Sequence, residues 1–134
     1  MQQLTNGARE RWVSPSRTVQ KPWGHEEIFA LVDGKFCGKA LFIKAGHALS
    51  LQYHERKEET IAVQSGRVLF EVGPDADSLD AFEIRPGDTI HVMPGTLHRM
   101  TAIEDSVLLE ASTTEIDDVV RLDDRYGRTG TSAP

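Results

Sequence analysis

The sequence has almost no cysteine. Cys37 is its one thiol, which excludes an intrachain disulfide framework and points to a reducing, cytoplasmic setting. Cys37 itself reads as a small packing residue. Long apolar runs are missing as well. No stretch approaches the roughly 20 residues of a membrane helix, and the opening residues lack the apolar core of a signal peptide. Positive charge is scarce: 15 Lys and Arg against 21 Asp and Glu leave a net charge of −6. That balance argues against non-specific binding to nucleic acid or anionic membranes, and leaves room for an anionic small molecule held by a local basic cluster. Convincing amphipathic helices and internal repeats of useful length are also lacking.

What the chain does contain is a series of short β-rich runs between turn signals, at 26–32, 36–43, 60–64, 67–72, 82–85, 89–93, 98–101 and 107–111. Asp33-Gly34 and Ser65-Gly66 mark hairpins. The pattern predicts an all-β fold, a sandwich or barrel, with one domain over residues 19–128. Residues 1–18 read as a flexible arm that Trp12 and Val13 would dock, on this chain or on a partner subunit, and 73–80 as an exposed acidic loop. In the capping segment 115–128, Ile116, Val119, Val120 and Leu122 have the spacing of a helical turn or two packed on the barrel. Residues 129–134 read as a disordered tail.

The chemistry concentrates in residues 46–66. Gln52 and His54 are separated by one residue, so on a strand both face one space. Glu59 opens the next apolar run, and His98 follows the turn Met93-Pro94-Gly95 far downstream. Together they offer two imidazoles, a carboxylate and an amide oxygen, a mixed set suited to one divalent metal ion. The same alternation places Ala48, Ser50, Gln52 and His54 on the inner face and Leu49, Leu51 and Tyr53 on the outer one. Three bulky apolar groups facing outward need cover, from a second internal layer or from a partner subunit. In the capping segment, anchoring by Val119, Val120 and Leu122 would project Arg121, Tyr126 and Arg128 toward an anionic substrate.

These residues resemble a known family. Gly46, Gln52-Tyr53-His54, Glu59 and Gly66 resemble the first cupin motif, with Gln52 in place of the usual first histidine, and Gly87, Met93-Pro94-Gly95 and His98 resemble the second. Lys21-Pro22-Trp23-Gly24, Leu49-Ser50-Leu51, His98-Arg99 and the run from Asp117 to Arg128 are similar to the cupin part of type II mannose-6-phosphate isomerases. The resemblance implies a jelly-roll barrel (a double-stranded β-helix), a homodimer, and a metal-dependent aldose–ketose isomerase acting on a phosphorylated or otherwise anionic sugar. It implies zinc at Gln52, His54, Glu59 and His98, with manganese, iron, nickel or cobalt also fitting those ligands. Glu110 matches a family glutamate and Lys57 stands in the turn before Glu59. Both are candidates for catalysis, and equally for a paired structural carboxylate and a solvated lysine. Lys39, Arg99, Arg121 and Arg128 match basic positions, and Lys21 stands where the family usually has arginine.

Other metal-dependent cupin enzymes (an epimerase, a lyase or an oxygenase) and a non-catalytic sugar-binding module are the competing readings. The chain departs from the isomerase pattern at Glu55-Arg56-Lys57-Glu58, which replaces a histidine-rich turn, and at Met93 and Ala102. Nothing in it is large or Gly-rich enough to supply the transferase domain that usually precedes this one.

Overall fold

The computed structural model describes residues 6–131. A short helix α1 (Asn6–Trp12) precedes twelve strands: β1 (Arg17–Lys21), β2 (Gly24–Val32), β3 (Phe36–Ile43), β4 (Leu51–Tyr53), β5 (Glu59–Ser65), β6 (Val68–Gly73), β7 (Asp80–Ile84), β8 (Thr89–Val92), β9 (Leu97–Ala102), β10 (Ser106–Ser112), β11 (Val120–Asp123) and β12 (Gly130–Thr131). They form two six-stranded antiparallel sheets, ordered β1-β2-β3-β10-β5-β8 and β12-β11-β4-β9-β6-β7. This is the all-β jelly roll expected. The turn chemistry is local: Gly34 and Gly66 take positive φ of 74° and 88°. At Gly66 a Cβ would lie 2.2 Å from Ser106 Oγ, so a side chain there is blocked twice over.

Strand alternation fills the space between the sheets. Leu41 and Ile43 of β3, Ile61 and Val63 of β5, Val68 and Phe70 of β6, Met100 and Ala102 of β9 and Leu108 of β10 make one buried cluster with Trp23, Ile84 and Val92. Among the described residues no helix is long and apolar enough to cross a membrane.

Four expectations change here. Residues 6–12 of the arm are helical, and β1 begins at Arg17, inside the stretch read as arm. Trp12 remains 81% exposed, docked on nothing in this chain. Second, Gly130 and Thr131 pair with β11 where a tail was expected; residues 1–5 and 132–134 lie outside the described residues. Third, the capping segment contains a strand rather than helical turns. β11 pairs with β4, so period-two alternation buries Arg121 and leaves Leu122 49% exposed, the reverse of the helical reading. Fourth, the outward stripe of Leu49, Leu51 and Tyr53 is absent. Residues 49 and 50 leave strand geometry, Leu49 turns onto the core, Leu51 is buried and Tyr53 is half-buried. Exposed apolar groups lie instead at Phe29, Leu31, Val32 and Phe36 on the β2–β3 hairpin and at Leu109 on β10.

Candidate metal centre and its cavity

Three elements bring the metal candidates together. His54 follows β4, Glu59 opens β5 and His98 lies on β9, where it pairs across the ladder with Gln52. Nε2 of His54 and Nε2 of His98 stand 3.6 and 3.4 Å from Oε1 of Glu59. All three residues are buried, and their ligand atoms lie within 4.8 Å of one another. Each imidazole has its other nitrogen occupied: Nδ1–H of His54 donates to the Asp118 carbonyl at 2.5 Å, and that of His98 to the Thr96 carbonyl at 3.0 Å. Both Nε2 atoms therefore present a lone pair to the site, and neither has a hydrogen-bond partner there. Burial would push the Glu59 carboxyl up, but hydrogen bonds from His54 and His98, made when their Nε2 atoms carry the protons a metal ion would replace, and the nearby Lys57 charge hold it well below the usual range. Two inward imidazole nitrogens and an ionised carboxylate fit a divalent metal. The side chain of Gln52 lines the same cavity, its Oε1 accepting from Ser50 Oγ at 2.6 Å.

Lys57 was read as a catalytic candidate or a solvated lysine. It is buried, with Nζ 3.1 Å from Glu59 Oε2 and 2.9 Å from Glu110 Oε2. Burial alone would lower its pKa; the two carboxylates overturn that and raise it above the ordinary lysine range. Lys57 is thus a fixed cation, and a pairing partner accounts for its burial and for that of Glu110. Lys39 is likewise buried, 3.5 Å from Glu26.

Toward the mouth, Lys21, Arg121 and Arg128 line the cavity that Gln52, His54, Lys57 and Glu59 also line. Burial lowers the Lys21 pKa; Glu26 opposes this, while Lys39, Arg121 and Arg128 add to the lowering. Burial, then the Arg128 charge, lowers that of Arg121. These cations are close enough to repel one another, and that arrangement suits an anion. Arg128 is held by Asp124 at 3.1 and 3.2 Å.

Two expected substrate residues fall outside. Arg99 bonds to Glu71 at 2.8 and 3.0 Å and to Asp123 at 3.3 Å, because the residue after His98 on a strand must face the other way. Tyr126 is not among the cavity-lining residues; its hydroxyl meets His47 Nδ1 at 2.7 Å, and the Arg128 guanidinium lies 5.9 Å from its ring centroid. Sequence reasoning missed Asp118, Ser50 and His47, and it noted Lys21 without placing it in the site.

Residues 41–111, just over half of the chain, match the cupin domain family. The chain belongs to the cupins. Among curated proteins, it is 29% identical to the mannose-1-phosphate guanylyltransferase of Escherichia coli over 117 residues, 84% of this chain and 23% of that one. To the alginate biosynthesis protein AlgA of Pseudomonas putida it is 30% identical over 118 residues, with the same coverage of 84% and 23%. This cupin spans under a quarter of either relative. Among solved structures it resembles the capsular polysaccharide assembling protein CapF of Staphylococcus aureus (TM-score 0.70, 15% identity, 86% of this chain and 34% of that one). It also resembles KdgF of a Halomonas species (TM-score 0.64, 20% identity, 78% of this chain and 89% of that one). These are likenesses of fold, among cupins of varied function.

Proposed function

We propose that this cupin is a cytoplasmic, metal-dependent aldose–ketose isomerase for a phosphorylated sugar, similar to mannose-6-phosphate isomerases. The observation that carries the reading is that Gln52, His54 and Glu59 line one cavity with the cations Lys21, Arg121 and Arg128, about 650 Å³ including its open mouth. His54, Glu59 and His98, with Gln52 as a fourth ligand, would hold one divalent ion, zinc in our reading. Such an ion supplies Lewis-acid stabilisation of an enediolate's two adjacent oxygens.

The chain's own residues divide the remaining work. Arg121, Arg128 and Lys21 bind the phosphate at the mouth, with Lys39 beside them on the wall. Tyr126 acts indirectly, as a prop under Arg128. Lys57 stays protonated between its two carboxylates and orients them. Glu110 moves the proton between neighbouring carbons, its Oε2 fixed by the Lys57 ammonium. The relatives' names add support, since one concerns mannose 1-phosphate and the other a polysaccharide.

A ketose-forming assay across a phosphosugar panel, on protein of measured zinc content, tests this. Turnover that is lost with zinc and returns with it is expected; a zinc-loaded protein inert toward every phosphosugar would end the isomerase reading. One feature favours a second reading, a sugar-binding cupin without turnover: both catalytic candidates are engaged with each other. In the assay, that reading gives saturable sugar binding and no ketose. We also propose a homodimer, through the outer face of the first sheet, where Phe29 lies over Gly38 and Leu109 is exposed. Sedimentation showing only monomer at micromolar concentration would end that.

A further inference from the structure

Asp118 lies outside the two catalytic motifs, yet it is bonded to the metal centre by two different groups. Its carbonyl takes the His54 Nδ1–H, as described. Its carboxylate accepts three successive backbone N–H groups, from Glu55 at 3.1 Å, Arg56 at 2.7 Å and Lys57 at 2.9 Å. Those residues form the loop between His54 and Glu59 and include the cation that pairs with Glu59. Further along the same segment, Arg121 pairs with Gln52 across the β11–β4 ladder, and Arg125 donates to the Gly46 carbonyl at 2.7 Å. The segment that brings Arg121 and Arg128 to the mouth is thus fastened along the whole stretch that carries Gln52 and His54.

We propose that Asp118 is a positioning residue of the metal centre, through which the capping segment 115–128 sets metal affinity. The inference rests on His54 being a ligand, as proposed above. A carbonyl on the far nitrogen fixes an imidazole's tautomer and ring orientation. A carboxylate under three N–H groups fixes the loop by charge-assisted hydrogen bonds. Metal loading and docking of the segment then favour one another by the same factor.

The test is zinc affinity of the full chain, measured by competition with a chelator, beside the visible spectrum of the cobalt-loaded protein. Asp118→Asn keeps the shape but turns one acceptor into a donor that faces the loop N–H groups. It leaves the carbonyl on His54 in place but loosens the loop that carries that ligand, and should weaken zinc by about tenfold, the lower end of what loss of a ligand's own outer partner costs, and alter the cobalt bands. Asp117→Asn removes the same charge one residue away, on a cavity-lining side chain that carries none of the three bonds. It should change affinity less than about threefold. Wild-type affinity in Asp118→Asn overturns the proposal, and so do equal losses in both variants, which would mean that charge alone acts. If Asp118→Asn does not fold, Asp118→Ser, which keeps one acceptor, replaces it; failure of both to fold overturns the proposal in favour of a purely structural role. His54→Ala run in parallel separates the two readings. Full zinc affinity there removes the metal centre itself, whereas loss there with none in Asp118→Asn removes only this inference.

Discussion

The barrel interior has two halves, made by the same strands and composed in opposite ways. Leu108 and Glu110 share the inner face of β10, one apolar and one ionic, at 0% and 6% exposure. The other lining strands repeat the division: Leu41 and Ile43 against Lys39 on β3, Ile61 and Val63 against Glu59 on β5, Met100 and Ala102 against His98 on β9. In the apolar half, burial stabilises the fold in proportion to area. In the ionic half, desolvation offsets most of what pairing returns, so stability does not account for those residues. The apolar end holds the fold, and the ionic end, positioned by it, is the end to which we assign ligand binding.

Variants on either side would break or sharpen this contrast. The largest effect is expected in the apolar half: Phe70→Ala should cost about 3–5 kcal/mol in urea unfolding, with or without zinc. A cost below about 1 kcal/mol would mean that the core closes over the lost ring. Next comes Lys57→Met, which leaves Glu59 and Glu110 buried together. About 3 kcal/mol should be lost from the metal-free protein, and saturating zinc, by replacing the positive charge beside Glu59, should restore more stability than it adds to the parent. A variant as stable as the parent without metal would show that these carboxylates are hydrated. Third, His98→Ala should weaken zinc by more than about 100-fold while leaving the metal-free urea midpoint unmoved or raised. A fall in that midpoint would place His98 in the stabilising half.

Smaller again is the effect expected at the proposed phosphate site. Arg128→Gln should raise KM for a phosphorylated sugar by about tenfold or more, with less effect on the unphosphorylated form. Equal losses on both would remove Arg128 from phosphate recognition. The least effect should come from arginine-paired carboxylates in acid. Arg99 holds the Glu71 carboxyl below its usual range, and Arg128, against burial, does the same to Asp124. A carboxyl depressed in the folded state contributes stability above its unfolded pKa and loses it as pH falls through the folded value. The urea midpoint should therefore decline below about pH 4, by less than about 1 kcal/mol for the pair at Arg99, and Arg99→Gln should flatten part of that decline.

The His54–Glu59–His98 cluster was legible because its signal is local: a same-face pair, glycine turns, and histidine and glutamate at strand-compatible spacing. Alternation, applied consistently, would also have excluded Arg99, since it and His98 cannot both face inward. The capping segment misled because four apolar residues in a short window satisfy a helical period by chance, and only pairing with β4 decides that Arg121 turns in. Leu49 misled for the converse reason, as the strand breaks there. Asp118 carries no local signal, because its partners, the His54 ring and three backbone N–H groups, lie 61 to 64 residues away. Nor could sequence show that Lys57 and Glu110 meet, which depends on the order of strands in the sheet.

The place of β10 between β3 and β5 has a consequence for how the protein is made. Both neighbours leave the ribosome well before it, and neither can complete its ladder until Ser112 has emerged. Until then β3 and β5 each present an unpaired edge to the crowded cell, a template for pairing with other chains. Closing so distant a pair carries the loop entropy of a long intervening chain. The nascent protein is therefore most exposed to misassembly in the interval between synthesis of β5 and of β10, and a chaperone or rapid elongation over that interval would protect it most.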